Sequence, residues 1–143
     1  MKLSLLALKI LENKYKGSHK APNKFRGAPL HDLTQIYPDD IYSNKAVAYY
    51  GDNATDYSDR LSISIMQSAK AKPDAKIKIY RAVPSTIQVD INASDWVTIN
   101  KQYAAIHGER TLGGDYKIIA KVVPAKHLYT DGNSIHEFGY DPS

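Results

Sequence analysis

The spacing of the hydrophobic residues changes about halfway along the chain, and this change predicts two structurally different parts. In the first part, apolar residues recur three and four positions apart, which places them on one face of an α-helix. The clearest such helix would begin at a capping Thr55 or Asp56 and end before Pro73, although the alternation over residues 61–65 would also suit a strand. Its apolar face would comprise Leu61, Ile65, Met66 and Ala69.

Upstream of this helix the pattern predicts two more helices and a loop. Lys9 interrupts the apolar residues of Met1–Leu11 and no small-residue cleavage site follows, so we interpret this segment as a helix rather than a signal peptide. Residues 17–29 are basic and contain Pro and Gly, which is typical of a loop. Residues 41–50 are expected to form a second helix that ends at Gly51.

From residue 76 onward the hydrophobic pattern has a period of two. Lys76–Val83 alternates strictly, which predicts a β-strand with one buried face, and Pro84 ends this strand. The other predicted elements are an extended piece over 91–98, a helix over 100–107 that ends at Gly108, and strands over 116–123 and 134–138.

The order of these elements, helices first and strands afterwards, predicts the α+β class. We expect residues 1–143 to form a single domain, in which residues 1–75 are mainly helical and residues 76–143 are mainly β. Because no apolar run is long enough to span a bilayer, we expect no membrane partner. The absence of cysteine fits the reducing cytosol, so we expect a cytoplasmic location.

Composition narrows the possible chemistry. The chain has no cysteine, which excludes disulfides, thiolate zinc sites and cysteine nucleophiles. Its five histidines include no HExxH motif and no pair four residues apart, so no metal is expected. The net charge of +4 favours anionic partners. A dinucleotide is one such partner and nucleic acid is another, although no nucleic-acid-binding motif accompanies the charge.

Two charged residues occupy positions that the alternation assigns to an apolar face. Arg81 shares a strand face with Ile79 and Val83, and Glu137 shares one with Ile135. Because an unpaired buried charge is costly, each side chain should have a partner or face a cleft. One interpretation is a structural Arg–Glu pair or two charges that reach water, and the other is a ligand cleft. The residues alone favour neither.

Three short segments, Tyr80–Pro84, Asp95–Asn100 and Asn133–Phe138, present an Arg, a Thr and a Glu in that order. Together they resemble the three motifs of the Arg–Ser–Glu class of mono-ADP-ribosyltransferases, and the resemblance covers residues 76–140. They are also similar to ADP-ribosyltransferase-like modules in large bacteriophage polyproteins. The resemblance therefore implies a phage or mobile-element origin and a site of action in the host cytosol.

The resemblance also implies a small mixed β-sheet braced by N-terminal helices, with NAD as the substrate. Arg81 would bind a phosphate of NAD, and the backbone of Ala82 would bind the nicotinamide amide. Thr98 would stand where the family has the first Ser of its Ser-Thr-Ser motif, and it would help to position Glu137, the catalytic carboxylate. Tyr103 would stack on a ring of NAD, or it would simply pack at the end of its helix.

The function that the resemblance implies is an NAD-dependent mono-ADP-ribosyltransferase, an enzyme of the glycosyltransferase class that modifies a host macromolecule during host takeover. Many arginine-modifying members carry Glu or Gln where this chain has Ile135, so the acceptor stays open. With water as the acceptor, the same site would act as an NAD glycohydrolase. The alternative is a catalytically weak or inactive ADP-ribosyltransferase-like protein that acts by binding and inhibiting a host defence complex.

Overall fold

The computed structural model describes residues 20–52 and 56–143, and within these ranges six strands form one sheet. The strands are β1 (Ala28–Pro29), β2 (Lys76–Pro84), β3 (Trp96–Thr98), β4 (Tyr116–Pro124), β5 (Leu128–Thr130) and β6 (Glu137–Tyr140). The α-helices are α1 (Ala46–Tyr50), α2 (Asp56–Ser68) and α3 (Lys101–Thr111), and single 3₁₀ turns lie at Leu33–Gln35, Asp39–Tyr42 and Ala125–His127.

The described strands follow the order β1-β5-β6-β3-β2-β4, and every neighbouring pair is antiparallel. The α+β class is confirmed, but the expectation of a mixed sheet is wrong in its strand directions. The physical reason lies in the crossover from β3 to β4. These two strands run in the same direction, yet β2 lies between them and runs against both, so α3 crosses over β2 and no parallel pair forms.

The strand register assigns the side chains of the central strands to two faces. Thr98 lies opposite Glu137 on one side and opposite Tyr80 on the other. Because directly opposed residues of an antiparallel pair share a face, these three side chains project to the same side of the sheet. Trp96 projects there as well, since it is two residues from Thr98. We call this side the α3 face, because α3 packs on β2 and β4 with Gly108 against the ring of Tyr116.

The main core lies on the opposite side, which we call the α2 face. Ile79 and Phe138 project from it and are fully buried, as is Met66 of α2. Burial of each such side chain contributes about 1.5–3 kcal/mol, which is enough to hold α2 against the sheet. The rest of this cluster includes Leu30, Leu33, Ile41, Ile63, Val97, Ile99, Leu128 and Ile135.

Several predicted elements are confirmed with shifted ends. The long amphipathic helix and the strands that begin near residues 76 and 116 form as α2, β2 and β4. The helix expected over 41–50 is split into a 3₁₀ turn and α1. The predicted last strand begins at Glu137 instead of Ser134, and α3 continues past Gly108 to Thr111. The helix predicted over Met1–Leu11 lies outside the described residues.

Two strands were not predicted. Both β1 and β5 are very short, and they pair with each other at the end of the sheet where β5 also contacts β6. None of the helices within residues 20–52 and 56–143 is both long and apolar enough to cross a membrane.

Candidate functional site

Glu137 is half-buried at the first position of β6, on the α3 face. Burial is the main cause of a raised pKa for this carboxyl, and the charge of Asp52 raises it further. A hydrogen bond with the side chain of Tyr103 acts in the opposite direction and lowers the pKa. The carboxyl group therefore lies in a partly desolvated site with one phenol beside it.

Tyr103 owes its position to the start of α3. Asn100 caps this helix, and its side-chain Oδ1 accepts a hydrogen bond of 3.2 Å from the backbone N–H of Tyr103. The Tyr103 ring then stacks on the imidazole of His136, with 4.5 Å between the ring centroids and 18° between the planes. The cap and the stacking together place the phenol at the end of the sheet, beside Glu137.

Thr98 is buried between Glu137 and Tyr80, and its hydroxyl already has partners. Thr98 Oγ1 accepts the backbone N–H of Asn100 at 3.1 Å and lies 3.5 Å from the Asn100 carbonyl oxygen. The structure therefore brings together three of the predicted site residues, Thr98, Tyr103 and Glu137. In this arrangement the hydroxyl of Thr98 orders the turn into α3. Thr98 is next to Glu137 because the two residues are paired across β3 and β6.

Arg81 does not join this group. It neighbours Tyr80 along β2, so it projects to the α2 face, away from Glu137. Its Nη1 donates to the carbonyl oxygen of Trp96 at 3.2 Å and lies 3.9 Å from Oδ1 of Asp95, and the side chain is 15% exposed. Ala82 follows on the α3 face, opposite Ile118 of β4. The charge of Arg81 therefore has two partners close by, the carbonyl oxygen of Trp96 and the carboxylate of Asp95.

A basic pocket of about 300 Å³ lies at the other end of β3 from Glu137. Its position follows from the close approach of the Pro22 carbonyl to Gly139 of β6, where a side chain would collide. Trp96 contributes the aromatic wall on the α3 face, two residues along β3 from Thr98, a separation of about 7 Å. The lining residues are Lys20, Ala21, Asn23, Arg26, Ser94 and Trp96. The sequence indicated that the loop over residues 17–29 is basic and that Trp96 would either stack on a ring of NAD or pack in the core, but it did not indicate that the two lie together.

His136 lies at the centre of a buried polar cluster that the sequence did not suggest. It directly precedes β6 and points towards α2, where it contacts Ser62 and Asp59. Its Nδ1 lies 2.6 Å from Oγ of Ser62, and its Nε2 lies 2.9 Å from Oδ1 of Asp52 and 3.0 Å from Oδ1 of Asp59. The imidazole is fully buried.

Asn100 connects the same cluster to α3. Its side-chain Nδ2 donates to the carbonyl oxygen and hydroxyl of Ser58, both at 2.9 Å, and to Oγ of Ser62 at 3.1 Å. Ser62 cannot act as a catalytic nucleophile here, because it is fully buried within α2. The Ser–His–Asp contacts therefore form a buried network beneath the site, and Glu137 and Tyr103 form the part that borders the α3 face.

Comparisons with known proteins identified no relative. No protein-family model, no curated protein and no solved structure matches this chain.

Proposed function

We propose that this protein is an NAD-dependent mono-ADP-ribosyltransferase with Glu137 as its catalytic carboxylate. The observation that carries the proposal is the placement of Glu137, Thr98 and Trp96 on one face of adjacent strands, with a basic pocket at the far end. A carboxylate at one end and cations at the other match a dinucleotide, which has a cationic nicotinamide ring and an anionic diphosphate.

Glu137 would act in the step that breaks the N-glycosidic bond of NAD. The bond between C1′ of the ribose and the nicotinamide nitrogen breaks, and neutral nicotinamide leaves with the electron pair. The ribose acquires oxocarbenium character, which a nearby carboxylate stabilises electrostatically. A nucleophilic atom of the acceptor then bonds to C1′ and loses a proton. The Tyr103 hydroxyl would keep the carboxylate oriented through the hydrogen bond that the two side chains share.

The phosphate anchor differs from the one that the resemblance implies. Arg81 projects to the opposite face and bonds to Trp96 and Asp95, so we assign it the role of holding the backbone of β3 in place. Lys20 and Arg26, which line the pocket, would bind the diphosphate. The indole of Trp96 would stack on a base or on nicotinamide.

The test is release of free nicotinamide from NAD, followed by NMR with and without host lysate. We expect release by the wild-type protein and a loss of about 100-fold or more for Glu137→Gln. Glu109→Gln, at an exposed glutamate of α3, is the matched control and should keep full activity. Release without lysate would identify a glycohydrolase, whereas release that requires lysate, with label transferred to a macromolecule, would identify a transferase.

The pocket assignment is tested separately. Arg26→Gln should raise KM for NAD with little change in kcat, because its contact to the diphosphate would be equal in the ground state and the transition state. Arg110→Gln, at an exposed arginine in the last turn of α3, is the control. Full activity of the Glu137→Gln variant would refute the enzyme assignment, and an unchanged KM for Arg26→Gln would refute only the pocket.

A second candidate function is supported by the position of Arg81. In the family that the motifs resemble, the Arg binds phosphate within the cleft, whereas Arg81 lies on the α2 face. A protein without that phosphate contact would bind its target without turning over NAD, and it would act by inhibiting a host defence complex. Phe25, which is 83% exposed in the basic loop beside the pocket, offers such a binder an apolar contact. A binder would retain its effect on the host target in Glu137→Gln and lose it in Phe25→Ala, whereas an enzyme would lose it in Glu137→Gln.

A further inference from the structure

We propose that Asp52, Asp59 and His136 form a binding site for a divalent transition-metal ion. The site joins three separate parts of the chain, since Asp52 follows α1, Asp59 lies in α2 and His136 directly precedes β6. One ligand atom from each residue lies within 4.8 Å of the other two. The proposal does not depend on the NAD chemistry above.

The distances suit direct coordination. Nε2 of His136 lies 2.9 Å from Oδ1 of Asp52 and 3.0 Å from Oδ1 of Asp59. Adjacent ligands of an octahedral ion with bonds of about 2.1 Å are separated by about 3.0 Å, and a tetrahedral zinc ion separates them by only a few tenths of an ångström more. Both separations from Nε2 therefore match those of neighbouring ligands on one ion, and the carboxylate oxygens of Asp52 and Asp59 lie within 4.8 Å of each other.

The hydrogen bonds around His136 are compatible with a tautomer that presents the Nε2 lone pair to an ion. The Asn100 amide donates to Ser62 Oγ, and that oxygen can accept a second bond, from His136 Nδ1–H at 2.6 Å. In this tautomer the lone pair on Nε2 faces two carboxylate oxygens. With the proton on Nε2 instead, one hydrogen is shared between two carboxylates. A divalent ion would interact favourably with all three ligand atoms at once.

The residues around the three ligands orient them as outer-shell partners do in metal proteins. Ser134 Oγ donates to the second oxygen of Asp52 at 3.2 Å, which leaves Oδ1 of Asp52 directed at the imidazole. The imidazole is held by Ser62 and by stacking on Tyr103. Gly51 lacks the side chain that would collide with the other oxygen of Asp59.

The ligand set indicates the class of ion. One imidazole and two carboxylates suit zinc, manganese, cobalt and ferrous ions better than calcium, which prefers oxygen ligands alone. Asp59 is almost fully buried, whereas the side chain of Asp52 is 33% exposed, so the site opens to solvent on the Asp52 side. Water molecules can complete the coordination from that side.

The experiment uses the full-length protein without an affinity tag, freed of metal by dialysis against a chelator. Titration with CoCl₂ should give visible absorption bands that saturate at one equivalent, and ZnCl₂ should displace the cobalt. Calorimetry with ZnCl₂ should give a micromolar Kd, and saturating zinc should raise Tm by about 5–10 °C. CaCl₂ should produce neither effect.

Variants identify the ligands. Asp52→Asn retains shape at a partly exposed position, so it should fold and bind zinc about tenfold more weakly or worse, and Ser134→Ala should weaken binding by about 10–100-fold. Asp74→Asn, at a carboxylate that is 82% exposed, is the control and should bind as the wild type does. Circular dichroism would establish that each variant is folded. Absence of stoichiometric binding at millimolar metal, or equal binding by wild type and Asp52→Asn, would overturn the proposal.

Discussion

Removal of the Asn100 side chain should destabilise the protein through two separable effects. Its Oδ1 caps α3, and its Nδ2 donates to Ser58 and Ser62 across the interface with α2. Loss of an N-cap costs about 1 kcal/mol, and loss of the donor to buried acceptors costs about 1–3 kcal/mol. We therefore expect Asn100→Ala to lower the free energy of unfolding by about 2–4 kcal/mol.

Urea denaturation followed by circular dichroism measures this loss. With an m-value of about 2 kcal/mol/M, the midpoint should fall by about 1–2 M. Asn100→Ser separates the two effects, because serine can still cap α3 but cannot reach α2 as a donor. It should lose about 1 kcal/mol less than Asn100→Ala.

An exposed asparagine provides the control for Asn100. Asn44→Ala, at an exposed asparagine, should change the free energy of unfolding by less than about 0.5 kcal/mol. If Asn100→Ala were as mild as Asn44→Ala, the buried network would not hold α3 to α2. If Asn100→Ser were as damaging as Asn100→Ala, the cap would contribute nothing measurable.

Two further predictions concern other parts of the fold. A hydrogen bond from the Tyr50 hydroxyl to Asp40 raises the pKa of Tyr50 to about 12, so this bond stabilises the fold below pH 10 and the contribution is lost as the pH rises towards 12. NMR of labelled tyrosine rings resolves this group: the Tyr50 signal, assigned by its absence in Tyr50→Phe, should titrate at about pH 12, and a midpoint at about pH 10 would contradict the assignment. Gly139→Ala places a methyl group against the Pro22 carbonyl and should cost about 1–3 kcal/mol, with faster hydrogen exchange over residues 20–27, whereas the exposed Ser64→Ala should leave both unchanged. Exchange at the wild-type rate in Gly139→Ala would show that this contact does not hold the loop.

Elements with a strong period could be predicted from the sequence, because their own residues determine which face is buried. This holds for α2 and β2, whereas β4 was predictable from its run of apolar and β-branched residues. The two short strands β1 and β5 could not be predicted in this way. They exist because β5 lies beside β6 in the sheet, and no local pattern contains that information.

The candidate site was only partly predictable for a related reason. The anomalous charge at Glu137 and its motif directed attention to β6, but the faces of Arg81 and Glu137 depend on register across β3. The cluster of Asp52, Asp59 and His136 escaped notice because His136 is 77 residues from Asp59 in the chain. A search for closely spaced histidines finds sites within one helix or loop and misses a site assembled by tertiary contacts.

The strand order has a consequence for how the protein avoids association through its sheet. Within the described residues the two outermost strands are β1 and β4. At one boundary β1 is only two residues long and includes Pro29, which lacks an N–H group to offer another chain. At the other, β4 is nine residues long but carries Lys117 and Lys121, and charged lysines disfavour edge-to-edge pairing. The edge at β1 thus resists the addition of another strand because β1 is short, and the edge at β4 resists it because β4 carries charged lysines.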